Sequence, residues 1–114
     1  GVQRCAKVFF HKNGTRKEFA FHGAATDVIG NQTVRIKSLS VEAQQRVNGV
    51  WQTFYGYTAA GHQTSQAAAI FVRCGELDAG AKYRSLVIVK FVDNKGKNRT
   101  KRVGSYEVWK GRIC

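Results

Sequence analysis

Asn48-Gly49 joins two runs that restrict this chain to antiparallel pairing. Before it, "TVRIKSLSVEAQQRV" alternates Val34 and Ile36 with Arg35 and Lys37, then Val41, Ala43 and Val47 with Glu42, Gln44 and Arg46. After it, "VWQTFYGYT" is rich in β-branched and aromatic residues. A two-residue type I′ turn needs positive φ at both central positions, which Asn and Gly adopt at little cost. A helix over 41–54 could place Val47, Val50, Trp51 and Phe54 on one stripe. It would also carry Asn48-Gly49 in its interior, where glycine costs about 1 kcal/mol, so the hairpin is preferred.

Two further hairpins flank this one. "RCAKVFFHKNGTRKEFAFH" reads as strands over 5–10 and 16–22 around the turn signal Asn13-Gly14, with Phe19 and Phe21 on one face and Arg16, Glu18 and His22 on the other. The last segment, "KYRSLVIVKFVDNKGKNRTKRVGSYEVWKG", pairs an apolar strand around 86–89 with a mixed one around 102–109. Between the second and third hairpins, "TSQAAAIFVRCG" predicts a helix over about 64–75. Thr64 or Ser65 would cap it, Ala67, Ile70, Phe71 and Cys74 would form one face, and Gly75 would end it. The expected fold is therefore α+β: an antiparallel sheet of about six strands in sequential hairpins, with that helix packed on one face. Residues 1–114 read as one basic domain, of a size that buries about two-thirds of the surface it exposes when unfolded.

No apolar run approaches the ~18 residues of a membrane-spanning helix. "GVQRCAKVFF" lacks the succession of a signal peptide, but a mature secreted chain would have lost one already, so the compartment stays open, with an intracellular one favoured. Cys5, Cys74 and Cys114 form no C-x-x-C pair. The expectation is reduced thiols with Cys74 buried, whereas a bond between Cys5 and Cys114 would point to secretion.

The net charge of +12 is segregated along the chain. Residues 1–22 carry five Lys/Arg against Glu18, residues 23–81 carry four against four acids, and residues 82–114 carry ten against Asp93 and Glu107. In "FVDNKGKNRTKRV", Lys95, Lys97, Arg99 and Lys101 occupy alternate positions, with Arg102 beside them. In an extended chain these four would share a face at roughly 6.6 Å intervals, a row able to follow a phosphate backbone. Arg84 and Lys90 on the opposing strand, and Lys12, Arg16 and Lys17 on the first hairpin, would extend the row into one broad surface if the two end hairpins were neighbours.

Exposed aromatic rings stack bases at roughly 1–3 kcal/mol each. Tyr106 and Trp109 are the preferred candidates, with Tyr83 and with Trp51, Tyr55 and Tyr57 on a shared face as either platform or core. Lys on hairpin tips also guards edges against aggregation; the density of cations in the last third favours a ligand. The expected function is non-enzymatic binding of RNA or single-stranded DNA. Two alternatives are a secreted basic toxin or effector of the small-ribonuclease kind, and a coat-like subunit that packages nucleic acid as a homo-oligomer. A nuclease would draw on His62, His22 and Glu18, with His62 beside the helix N-terminus. Glu18 and His22 lie about 13 Å apart along one strand face. His62 and Cys74 do not match zinc spacing, and no phosphate-binding glycine loop occurs. Neither a metal nor a cofactor is expected.

Overall fold

The computed structural model describes residues 2–27 and 34–114, apart from the side chains of His62 and Gln63. Eight strands account for almost all of it: β1 (Val2–Asn13), β2 (Arg16–Asp27), β3 (Arg35–Val47), β4 (Val50–Gln63), β5 (Ser65–Arg73), β6 (Lys82–Val92), β7 (Asn98–Gly104) and β8 (Val108–Trp109). A 3-10 turn at Cys74–Glu76 and one helical turn, α1 (Lys110–Ile113), complete the chain. Two antiparallel sheets stack face to face. One has the order β1-β2-β5; the other has the order β4-β3-β6-β7, with β8 continuing the β7 edge along β6.

The three expected hairpins are present. Asn48 and Gly49 take φ 52° and 79°, the two positive values of a type I′ turn. In the first hairpin Asn13 pairs with Arg16, so the central residues are Gly14 and Thr15, and Gly14 alone has positive φ, 64°. That is the type II′ pattern, with glycine first.

The α+β expectation is wrong, because 64–75 is not a helix. With 74% of the described structure in strands, the fold is nearly all β. Residues 65–73 form the edge strand β5, which pairs along β2 with Ala24 opposite Ala67, Gly23 opposite Ala68 and Phe21 opposite Ile70. Ala68, Ile70 and Val72 turn inward while Ala67 and Phe71 turn outward. Ala68 is small for a tertiary reason: it pairs with Gly23, where a Cβ would lie 2.3 Å from Val87 Cγ2 and 3.0 Å from Val41 Cγ2 of the facing sheet. Helix propensity amounts to tenths of a kcal/mol per residue; a nine-residue ladder and a packed face outweigh it.

The core between the sheets is built from Phe19, Phe21, Leu39, Val41, Tyr83, Val87 and Val89, all at most 1% exposed. Phe19, Phe21, Phe54 and Tyr83 form an aromatic group with centroids 4.8 to 6.4 Å apart. The buried Tyr83 hydroxyl accepts the Asp78 N–H at 2.7 Å, and burial raises its pKa.

Cys74 is bonded to Cys114, with Cα atoms 6.1 Å apart, and Cys5 is free and exposed. The pairing considered from sequence, Cys5 with Cys114, does not occur; nor are all three thiols reduced. No helix among the described residues is long and apolar enough to cross a membrane.

Candidate nucleic-acid interface

Along β6 the side chains of Tyr83, Ser85, Val87, Val89 and Phe91 are buried, so Lys82, Arg84, Ile88 and Lys90 belong to the outer face of the five-stranded sheet. Register carries this face across the sheet. Trp51 pairs with Arg46, Arg46 with Lys82, and Lys82 with Trp109. The result is a single cross-strand line, aromatic–cation–cation–aromatic, its ends about 14 Å apart at ~4.8 Å per strand. Lys82 Nζ lies 5.1 Å from the Trp109 ring centroid, and Arg46 Cζ 6.0 Å from that of Trp51.

The next line holds Arg84 in place. Its Nε donates to Gln44 Oε1 at 2.8 Å, Gln44 Nε2 donates to Thr53 Oγ1 at 3.1 Å, and the Thr53 hydroxyl donates to Glu42. With its tail anchored, the guanidinium sits 4.4 Å from the centroid of Trp51. Glu107 bridges the two central cations, accepting from Lys82 at 2.9 Å and Arg46 at 3.1 Å. The Lys82 hydrogen bond, followed by the charges of Lys82 and Arg46, holds its carboxyl below the ordinary carboxylate range. Farther along the same face, Arg102 pairs with Ile88 and Thr100 with Lys90. At that end of the strands a cavity of about 380 Å³ opens at the sheet edge, lined by Lys37, Ser38, Lys90, Phe91, Asn98, Arg99 and Thr100.

The row expected over 95–101 is interrupted. Lys95 and Lys97 lie in the turn between β6 and β7, where the Asp93 carboxylate accepts the N–H of both at 2.9 Å and Arg99 Nε at 3.0 Å. The Lys97 N–H and the Arg99 guanidinium are the main reasons the Asp93 pKa falls to about 2. Arg99 and Lys101 pair with Phe91 and Val89, on the inward side of the edge, and Lys101 Nζ lies 5.9 Å from the Phe91 ring. Arg102 alone of the five is on β7's outward side, with Arg84 and Lys90.

The two end hairpins are neighbours through their strands and not through their tips. Ser85 Oγ donates to Lys7 O, and Arg4 Nε donates to Arg102 O, itself paired with Ile88. β1 therefore runs against β6, and Lys12, Arg16 and Lys17 lie at the opposite end of the molecule from Lys95 and Lys97. They do not join Arg84 and Lys90 on one surface.

Trp51, Tyr55 and Tyr57 do not share a face. Ala43 pairs with Tyr55 but Gln44 with Thr53, so Phe54 is an extra residue, and the parity of β4 changes there. Trp51 goes outward, while Tyr55 and Tyr57 follow Ala43 and Val41 to the core side, where they overhang the edge about half-exposed. Tyr83 is core. Tyr106 is 93% exposed, between β7 and β8. Arg46, Lys82 and Glu107 escaped the sequence reading, because nothing short of strand register puts them between two tryptophans.

The nuclease residues are dispersed. His22 and Glu18 lie on the outer face of the other sheet, and Glu18 is bonded instead to His11, Nδ1 to Oε1 at 3.1 Å. Phe9 and Phe71 flank Ala20 between them, and Ala20 is fully buried although it faces away from the core. His22 Nδ1 is buried without a hydrogen-bond partner, and burial, then the charge of Lys7, lowers its pKa. His62 lies within β4 and no helix follows it, so the expected helix-terminus pocket does not form; its side chain is outside the described residues. No group of His, Cys, Asp or Glu among the described residues is arranged to hold a metal.

Comparison with protein-family models, with curated proteins and with solved structures finds no match for this chain.

Proposed function

We propose that this protein binds RNA or single-stranded DNA across the outer face of its five-stranded sheet. The observation that carries the reading is the line Trp51–Arg46–Lys82–Trp109. It combines the two ingredients of sequence-tolerant single-strand binding, stacking surfaces and cations that track a backbone. Arg84 lies over Trp51 and adds a planar cation on which a base can also stack. Arg46, Lys82, Arg84, Lys90 and Arg102 on this face outnumber Glu42 and Glu107. A flat sheet with no helix projecting from it suits a flexible strand better than the major groove of a duplex.

The sequence has two tryptophans, and both are on this face. Intrinsic tryptophan fluorescence is therefore a direct test. Single-stranded oligonucleotides are expected to quench it, with log affinity falling against log salt at about 0.7 per phosphate contact. Trp109→Ala should weaken binding by roughly tenfold, about the value of one stacked base. Quenching that is absent, or that does not respond to salt, rules the face out.

A further inference from the structure

Between Arg46 and Arg73 the sequence contains no Asp, Glu, Lys or Arg. This stretch supplies β4 and β5, the free edges of the two sheets on one side of the sandwich. The opposite edges are guarded: β1 carries Arg4, Lys7 and Lys12, and β7 carries Arg99, Lys101 and Arg102. Charges on edge strands, Lys above all, are the usual means of preventing strand-to-strand association. β4 is fourteen residues long, has no proline, and leaves one side of its backbone without a strand partner among the described residues. Tyr55 and Tyr57 on β4 and Phe71 on β5 are about half-exposed and line, with Ala69 and Ile70, a groove of about 300 Å³ between the two edges, whose one charged lining residue, Glu76, follows β5.

We propose that this edge is the interface of a homodimer, formed by antiparallel pairing of β4 with β4 of a second copy. Charge selects the occupant. A chain of net charge +12 repels its own copies at every basic surface, and acidic partners are drawn to those surfaces and not to a neutral one. A two-fold axis places uncharged strand on uncharged strand and keeps both basic edges at the periphery. Such an interface is isologous and closes at two copies. Pairing across an axis normal to the sheet leaves the outer faces of both copies on the same side, so the two Trp–Arg–Lys–Trp lines would lie on one continuous surface. The dimer does not depend on nucleic-acid binding.

The test is sedimentation equilibrium without nucleic acid, in a Cys5→Ser background that excludes adventitious cross-linking while keeping the Cys74–Cys114 bond. The expected mass is twice 12.7 kDa, with amides of β4 gaining hydrogen-exchange protection as concentration rises. Tyr57→Lys with Phe71→Lys sets like charges against each other across the axis and is expected to weaken the dimer at least tenfold with the circular dichroism unchanged. A protein monomeric up to millimolar concentration overturns the proposal, as does a dimer unaffected by the two lysines or one protected along β1 or β7 instead. A dimer that fails to quench with oligonucleotide would keep this interface and remove the proposed function.

Discussion

The Arg84 guanidinium carbon lies 4.4 Å from the ring centroid of Trp51, held there by a hydrogen bond to Gln44. A cation over an indole gains about 0.5–1 kcal/mol at an exposed site and more when desolvated. Arg84→Leu is expected to shift tryptophan emission and to weaken oligonucleotide binding about five- to tenfold. Gln44→Leu, which removes the anchor and keeps the cation, should produce a smaller loss. Equal affinity in all three proteins would mean that this pair takes no part in binding.

Glu107 is ion-paired with Arg46 and Lys82, so a phosphate bound there would have to displace it. Glu107→Gln should tighten oligonucleotide binding several-fold at low salt and steepen the salt slope by about 0.7 for each cation released. Titrations at several salt concentrations read both quantities, and a weaker complex would show that Glu107 orders the site more than it blocks it.

Asp93 organises the turn between β6 and β7. Its carboxyl titrates at about 2 in the folded protein against 3.8 ordinarily. A folded value below the unfolded one means stabilisation that is complete above the ordinary value and is lost as pH falls from about 4 towards 2. Carbon-detected NMR of the Asp93 carboxyl should give a midpoint near 2. Asp93→Ala should remove exchange protection from the Lys97 amide, and a midpoint near 3.8 would contradict the hydrogen-bonded turn.

Gly23 has no room for a side chain. Its Cβ would meet the Val87 and Val41 methyl groups at 2.3 and 3.0 Å, so Gly23→Ala overpacks the sheet interface. A loss of about 1–3 kcal/mol is expected in urea unfolding. A companion Val87→Ala should recover part of it, and an unchanged midpoint for Gly23→Ala would mean that the sheets can separate freely there.

The Cys74–Cys114 bond spans a sequence separation of 40. Loop entropy puts its contribution at about 4 kcal/mol. The double variant Cys74→Ala, Cys114→Ala should approach that loss in denaturant, with α1 losing exchange protection first. Wild-type protein whose unfolding midpoint is indifferent to reductant would show that α1 docks beside the Cys74–Glu76 turn without the bond.

The hairpins were legible because each rests on local chemistry. Asn48-Gly49 meets the φ requirement of its turn without help from the rest of the chain, and the period-two pattern of β2 and β3 follows from having one buried face. Even the change of parity in β3, from Val34 and Ile36 to Val41 and Ala43, is visible in the sequence, and it coincides with a register shift between Ile36 and Ser38. β5 was illegible for the opposite reason. Ala68 answers to Gly23, Val41 and Val87, residues distant in sequence, and a run of alanines by itself reads as helix.

The site divides in the same way. Composition and charge segregation suggested an anionic partner, and Trp109, Arg84, Lys90 and Arg102, which share the outer face, were candidates from the sequence. Which cations share a surface depended on strand order, on a bulge at Phe54 that separates Trp51 from Tyr55, and on β1 running against β6. Turn residues and alternation act within a few peptide units, so the sequence by itself determined antiparallel hairpins and a basic surface. The stacking of two sheets is set by contacts between distant segments, and only the tertiary structure decided that Arg46 and Lys82 lie between two tryptophans while Lys12, Arg16 and Lys17 lie at the far end.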